Sequence, residues 1–580
     1  VSADAASGIK ALQVAVDLLQ EKAADAMLVG AVDLAAEGRN VIRMNHFLPL
    51  SPTNAIHPFD AAADGTLPGD GAVALVLKPL AQAQIDGDRV YAVIRGIGSA
   101  GGDDPTKGRV SESTYCRSLS ECFSRSDVPV ASVSYVDAHG TGAPEPDRLE
   151  IAALSGFFRK SGRTDPSTAI ALGSTKPITG FTGAGDGLAS LAKTALCLHH
   201  GVLPPLAGFT RAEPLDGLAE RTRTFHMPDR AQPWYRDRER GPRTACCASI
   251  TMDGNCSHVL IQEDETCAPV VKYAGPTPAI DTRAGLFVVS GNAPPQLIEG
   301  LAGLEDVLSR SPAPEPVEAV AARWMQAHPP RSDHRLAVAL ILKPGDTYSR
   351  VFNDARQAIA SGESDAHSRQ VFFRSRPIGA DARVALVYPG SGNHYLGMGR
   401  DLALRFPGIV NGMDRETAQL KTQFRPWNLM PWRHAWQPGW ETQAISRLKA
   451  DPLNMIFGQV VFGDLMTRIL DRFSVRADAV IGYSLGETSA LFAQGVWSDR
   501  GDMLARMQTT DLFTTQLAGP CLALRQAWQI PADETVAWRV AVVNRPAESV
   551  RKTLADIPRV RLLIVNSPHE CVIGGLERAV

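Results

Sequence analysis

The chain has 580 residues, of which 44% are hydrophobic and 21% charged, with a formal net charge of −3. That balance fits several soluble globular domains and gives no basic footprint for nucleic acid or an anionic membrane surface. Nine cysteines without a CxxC pair argue against structural zinc and fit reduced thiols in a cytoplasmic protein.

The elements are read in chain order. Ile9, Leu12, Val16 and Leu19 fall on one helical stripe. The run Ala26-Met-Leu-Val-Gly30 predicts a buried strand, and Ala72-Val-Ala-Leu-Val-Leu77 and Tyr91-Ala-Val-Ile94 predict two more. Strands separated by helices through residue 265 argue for a layered α/β domain. Residues 266–285, with Pro269, Pro276 and Pro278, predict a connector. A small strand–helix unit follows, with strands at Leu286-Phe-Val-Val-Ser290 and Leu336-Ala-Val-Ala-Leu-Ile-Leu342 and a loop at Ser311-Pro-Ala-Pro-Glu-Pro316. A further α/β unit opens at Val384-Ala-Leu-Val-Tyr388, and its second strand is Ala479-Val-Ile-Gly482. No apolar run reaches the ~18 residues of a membrane span, and no signal-peptide pattern is visible. The chain opens on Val1 within what reads as a core segment, so we expect an excerpt of a longer polypeptide.

Five segments in the first region carry a resemblance. They are Pro58-Phe-Asp-Ala-Ala-Ala-Asp-Gly65, Pro68-Gly-Asp-Gly71, Asp137-Ala-His-Gly-Thr-Gly142, Ser174-Thr-Lys-Pro-Ile-Thr-Gly-Phe-Thr182 and Asp253-Gly-Asn-Cys-Ser-His258. In this order they resemble the ketosynthases of fatty-acid and polyketide synthases, over about residues 1–265. The resemblance implies a thiolase-like layered fold whose N-terminal part is missing. Condensation needs a thiolate to hold the acyl chain and two imidazoles to handle the carboxylate and the developing enolate. By the family motif Ala5 stands at the cysteine and Phe181 at the second histidine. Gly183 stands at a glutamate and Asp186 at an alanine, while His139 and Lys176 are kept. An alanine methyl cannot form a thioester. The resemblance therefore implies a degenerate site, similar to the chain-length-factor partners of ketosynthases, with His139 and Lys176 in structural roles. Such a domain would pair with an active ketosynthase, as a homo- or pseudo-dimer, through the segment near residues 1–30.

Residues 266–380 resemble the linker domain between ketosynthase and acyltransferase, and no chemistry is read there. Residues 381–580 resemble an acyltransferase, with an α/β-hydrolase-like core and the start of a small ferredoxin-like subdomain. The opening Tyr388-Pro-Gly-Ser-Gly-Asn-His394 resembles the glycine-rich start of that family, with His394 at a glutamine. Gly482-Tyr-Ser-Leu-Gly486 is a G-x-S-x-G elbow between a predicted strand and a predicted helix. The resemblance makes Ser484 the nucleophile and the backbone N–H groups of His394 and Leu485 the oxyanion donors. It places the catalytic histidine beyond Val580. Malonyl-specific relatives grip the free carboxylate with an arginine, a position that counts to Thr509 here, with Arg506 one turn earlier. The expected partners are an acyl carrier protein with its phosphopantetheine thiol and an active ketosynthase. The expected substrate is a coenzyme A thioester, with no tightly bound cofactor and no metal. A serine thioesterase or esterase, and a non-catalytic scaffold, stay open as alternatives.

Overall fold

The computed structural model describes residues 4–34, 37–102, 110–160, 168–210, 224–265, 284–310, 315–331, 333–379, 382–430 and 439–580. Most of the expected connector 266–285, and the start of the loop expected at 311–316, lie outside the described residues. The chain divides into two compact units, Val1–Ser498 and Asp499–Val580.

The first region is layered. Helix α1 (Ser7–Gln20) buries Ile9 and Leu12 as its apolar stripe predicts. It packs under an antiparallel pair, β1 (Met27–Leu34) and β2 (Asp70–Leu77). Beneath α1 lies a six-stranded mixed sheet of β3 (Val93–Ala100), β4 (Val133–Asp137), β5 (Ile170–Gly173), β6 (Phe225–His226), β7 (Thr244–Ile250) and β8 (Cys256–Gln262). Its spatial order is β3-β8-β7-β4-β5-β6, parallel from β7 through β6 and antiparallel across β3-β8-β7. On the far face lie α2 (Glu112–Ser124) and α3 (Pro144–Arg159), and with α1 lies α4 (Asp186–His200). Two apolar layers result. Tyr115, Leu119 and Phe158 pack on Val136 and Leu172, and Ile9, Leu12, Leu188 and Leu191 pack on Tyr135, Ala171 and Cys247. Burial of this kind stabilises by roughly 25 cal/mol per Å² of apolar surface.

The helix boundaries follow local chemistry. Ser111 caps α2, its Oγ accepting from the Thr114 amide at 3.0 Å. Pro144 opens α3 with Glu145 and Asp147 in the first turn, where proline fits and acids complement the dipole. Gly201 ends α4 at φ 62°, a left-handed cap that suits glycine.

One expectation needs correction. The run from Ala26 to Gly30 is not buried on both sides. β1 alternates, with Val29 and Ala31 inward and Leu28 and Val32 exposed at 73% and 66%. Its sheet has two strands, and only one face rests on α1.

The middle region has a three-stranded antiparallel sheet, β9 (Gly285–Gly291), β10 (Leu336–Leu342) and β11 (Val371–Phe373). Helices Pro294–Arg310, Val317–Ala327 and Tyr348–Ser361 supply Leu301, Trp324 and Phe352 to a separate core with Phe287 and Leu340.

The last part of the first unit has a parallel pair, β12 (Ala385–Tyr388) and β13 (Ala479–Gly482), followed by helix α6 (Leu485–Ala493). Its longest helix is α5 (Pro452–Arg472). By length and composition α5 is apolar enough to cross a membrane, contrary to the reading above, but 61% of that window is buried inside the protein. Phe457, Val460, Val461 and Leu465 make it a core helix.

The second unit holds α7 (Arg500–Thr509), α8 (Ala547–Leu554) and a sheet ordered β14-β16-β15, with β14 (Trp538–Val543), β15 (Val560–Ser567) and β16 (Glu570–Leu576). Val550 of α8 packs on Val560, Cys571 and Ile573.

Candidate functional site

Two constellations were expected; the first unit brings the residues of the first together, while those of the second are divided between the two units. In the first, Ala5, His139, Lys176 and Phe181 come together although they are far apart in sequence, each at most 3% exposed. Ala5 packs with Phe181 and Met44 in a small apolar cluster. The backbone of Phe181 is fixed by strand-like bonds: its N–H donates to the Leu67 carbonyl at 2.8 Å and its carbonyl accepts from Gly69 at 3.0 Å. A side chain at Gly69 would collide with the Thr179 carbonyl, which accounts for the glycine in that motif. The Phe181 ring stands edge-on to His139 at 5.9 Å between centroids, with the Lys176 ammonium 5.4 Å from its centre. An aromatic ring thus stands beside His139 and Lys176 and offers no hydrogen-bond donor.

Lys176 is fully engaged. Its Nζ donates to Asp186 Oδ2 at 2.8 Å, to the His139 carbonyl at 2.8 Å and to His139 Nδ1 at 2.9 Å, which uses all three ammonium protons. His139 Nδ1 also accepts from the Ile250 N–H at 3.3 Å. Two donors make Nδ1 an acceptor, so the ring proton sits on Nε2. The 3.4 Å approach of Nδ1 to Asp186 Oδ2 is then a side-by-side contact rather than an ion pair. Burial, and next the Lys176 charge, hold the His139 pKa below the ordinary value. Burial pushes Asp186 up, but the Lys176 charge outweighs it and leaves the carboxyl below its usual range.

Sequence reading noted Asp186 only as a departure from the family pattern and missed its role as the counter-ion. It also missed Asp147 and Glu150. These two carboxylates, three residues apart on α3, gather the amides of the His139–Gly142 turn. Glu150 accepts from His139 N and Gly140 N, each at 2.8 Å. Asp147 accepts from Thr141 N at 2.8 Å, Gly142 N at 3.1 Å and Phe59 N at 2.9 Å. The signal was available: two acids on one helical face just after a glycine-rich turn whose amides need acceptors.

The second constellation stands at the ends of β12 and β13, where a parallel sheet characteristically opens to ligands. Ser484 is exposed, with φ 54° and ψ −121°, a costly conformation for a residue with a side chain. Tight packing enforces it. A Cβ at Gly486 would strike the Tyr388 carbonyl oxygen, and one at Gly482 would strike the backbone of Glu487. At this turn Gly486 N donates to Tyr483 O at 2.8 Å and Glu487 N to Ser484 O at 3.0 Å. The Leu485 amide, at the N-terminus of α6, is not among these donors. The glycine-rich segment follows β12. The Tyr483 N–H donates to Tyr388 O at 3.0 Å, Gly390 lies against the Tyr483 ring, and Gln459 of α5 donates to Pro389 O at 3.1 Å. His394 follows in that segment, half-buried. Burial, and next the Lys449 charge, keep its pKa below the ordinary value.

Arg506 and Thr509 lie in the second unit on α7. Arg506 is exposed, its Nε 2.9 Å from Asp502 one turn back. The Thr509 hydroxyl donates to Ala505 O at 2.9 Å. His569 stands exposed at the β15–β16 turn.

The segments that build the first constellation match two family models. Residues 1–83 match beta-ketoacyl synthase, N-terminal domain, and residues 91–210 match beta-ketoacyl synthase, C-terminal domain. Over these residues the chain is similar to ketosynthase domains, and its fold there has mixed α/β content. The chain as a whole is similar to two phenolphthiocerol/phthiocerol polyketide synthase subunits of Mycobacterium tuberculosis. With one it is 28% identical over 576 residues, covering 98% of this chain and 34% of that protein. With the other it is 28% identical over 577 residues, covering 98% and 24%. The chain therefore spans about a third or less of the length of these relatives. Among solved structures it resembles the ketosynthase from module 6 of the bacillaene synthase of Bacillus subtilis 168, at 25% identity, covering 64% of this chain and 60% of that one, with a TM-score of 0.41.

Proposed function

We propose that the chain is part of a multidomain polyketide or fatty-acid synthase in which Ser484 transfers acyl groups and the ketosynthase-like region does not condense. The observation that carries the acyl-transfer reading is the strained, exposed Ser484 at the strand-to-helix turn, with Tyr388 and Gly390 packed against it. In this reading the Ser484 hydroxyl attacks the carbonyl of a coenzyme A or carrier-protein thioester. The thiol leaves, and an ester forms on Oγ. A phosphopantetheine thiol of an acyl carrier protein then takes the acyl group and restores the hydroxyl. The N–H groups of Leu485 and His394 stabilise the oxyanion, a contribution of about 10²–10³ in rate per donor in comparable enzymes. The similarity to polyketide synthase subunits across 98% of the chain favours this over a free-standing esterase.

The non-condensing role rests on Ala5 and Phe181, and on Lys176 held by Asp186. We read the first region as a chain-length-factor-like partner that pairs with an active ketosynthase. The exposed apolar side chains of β1 near residues 28–34 suit such pairing. Reduced thiols, with the eight described cysteines all free, suit a cytoplasmic setting.

The test is intact-mass spectrometry of the complete parent after exposure to acyl- and malonyl-coenzyme A. Wild type gains the acyl mass, and Ser484→Ala does not while keeping its fold. A Ser484→Ala protein that still carries the acyl mass overturns the mechanism.

A further inference from the structure

The ketosynthase-like and acyltransferase-like regions also meet directly. The contact is made by residues 234–240, which follow the short strand Gln232–Pro233, and by residues 414–424. The segment Trp234-Tyr-Arg-Asp-Arg-Glu-Arg240 opens on two aromatics and continues in charges without the period of a helix or strand, and sequence reading assigned it nothing.

At the centre Tyr235 stacks flat on Phe424, with ring centroids 4.4 Å apart and planes at 7°. Both side chains are buried, at 4% and 0% exposure. Phe424 in turn stands edge-on to Phe462 of α5 at 5.0 Å. Polar bonds flank the stack. Arg236 directs Nε and Nη2 onto Asp414 Oδ2, at 3.0 and 2.9 Å, while its Nη1 reaches Glu263 and Glu265. Asp237 takes both donors of Thr422, the amide at 2.9 Å and the hydroxyl at 2.7 Å. Two backbone bonds cross the seam, Arg238 N to Ala418 O at 2.6 Å and Lys421 N to Arg236 O at 3.0 Å. Gln419 bonds Glu239 at the rim.

A buried aromatic anchor flanked by polar bonds is the anatomy of a specific interface, although Tyr235 Oη, Arg238 Nε, Asp414 Oδ1 and Gln419 Oε1 are buried here without a partner among the described residues. A half-buried arginine holding carboxylates on both sides fixes register as well as affinity. Contacts between regions joined only by a tether are usually sparser and more polar.

We infer that residues 234–240 form a latch that binds the acyltransferase-like region, so that the two regions form one rigid body whether or not the chain between them is continuous. The ketosynthase-like region is thus the mount of Ser484. The mount reaches toward the nucleophile, because α5, which carries Phe462, also carries the Gln459 bond to Pro389.

The test uses the full chain with a specific protease site inserted between residues 270 and 280. After cleavage, size-exclusion chromatography and native mass spectrometry read whether the two halves stay together. The expected wild-type result is a one-to-one noncovalent complex at low micromolar concentration. A Tyr235→Ala/Arg236→Ala variant, cut in the same way, is expected to bind at least about tenfold more weakly, with its circular dichroism unchanged before cleavage. Asp237→Ala, which removes only the Thr422 acceptor, is the milder variant should the double one fail to fold. Wild-type halves that separate on cleavage overturn the latch. Cut variants that hold as tightly as wild type also overturn it, since the middle region would then be the binding element.

Discussion

Lys176 and Asp186 form an ion pair at 2.8 Å in the interior, each side chain no more than 4% exposed. Asp186, at the head of α4, supplies the carboxylate. The lysine is thereby satisfied and unavailable. Removing one member of a buried pair strands the other at a cost of about 3–5 kcal/mol. Asp186→Ala should therefore lower stability by roughly that amount, as measured by urea denaturation. Lys176→Met/Asp186→Leu, which removes both charges, should recover much of the loss.

Ala5→Cys alone should give no condensation. The new thiol would face Phe181 and Met44, with no second imidazole to assist. Chromatography with mass detection of ketoacyl products checks this, and any product from Ala5→Cys would sink the degenerate-site reading.

Gly486→Ala should damage the elbow more than its size suggests. The added methyl has no room against the Tyr388 carbonyl, so the turn must shift. We expect a stability loss of about 1–3 kcal/mol and at least a tenfold fall in the rate of acyl loading at Ser484. Wild-type loading by this variant would show that the turn has slack.

His258 makes the first region acid-sensitive. It is fully enclosed, its Nδ1 2.9 Å from Ser118 Oγ and its ring on Tyr115. Burial depresses its pKa to about 3. Above about pH 6.5 the ring is neutral in both folded and unfolded chains, and its contribution is fully present. As pH falls below that value the unfolded chain takes up a proton that the native ring refuses until about pH 3. Stability is lost across this window by up to about 1.4 kcal/mol per pH unit. His258→Gln should be less stable at pH 7 but show a shallower fall toward pH 4 in denaturant titrations.

Arg506 is held by Asp502 on the exposed face of α7. If it takes no part in binding carboxylate, acyl groups lacking one should load at least as well as malonyl. Arg506→Ala should then leave the malonyl-to-acyl ratio unchanged in competition assays. Malonyl-only loading in the wild type, lost in Arg506→Ala, would reverse this.

The sequence by itself determined the chemical vocabulary. Ala5, Phe181 and Ser484 were legible because each sits in a short motif whose glycines and flanks encode a local turn. Helix α1 was legible because its apolar period is local. The tertiary structure alone decided what those residues meet. Whether Met27–Leu34 is buried on one face or two depends on how many layers the sheet has, which alternation cannot state. Asp186 becomes a counter-ion only because α4 starts beside the Lys176 turn. Tyr235 finds Phe424 only because the topology brings residues 234–240 against residues 414–424. Such pairs are set by where the chain returns in space, and no spacing along it records that return.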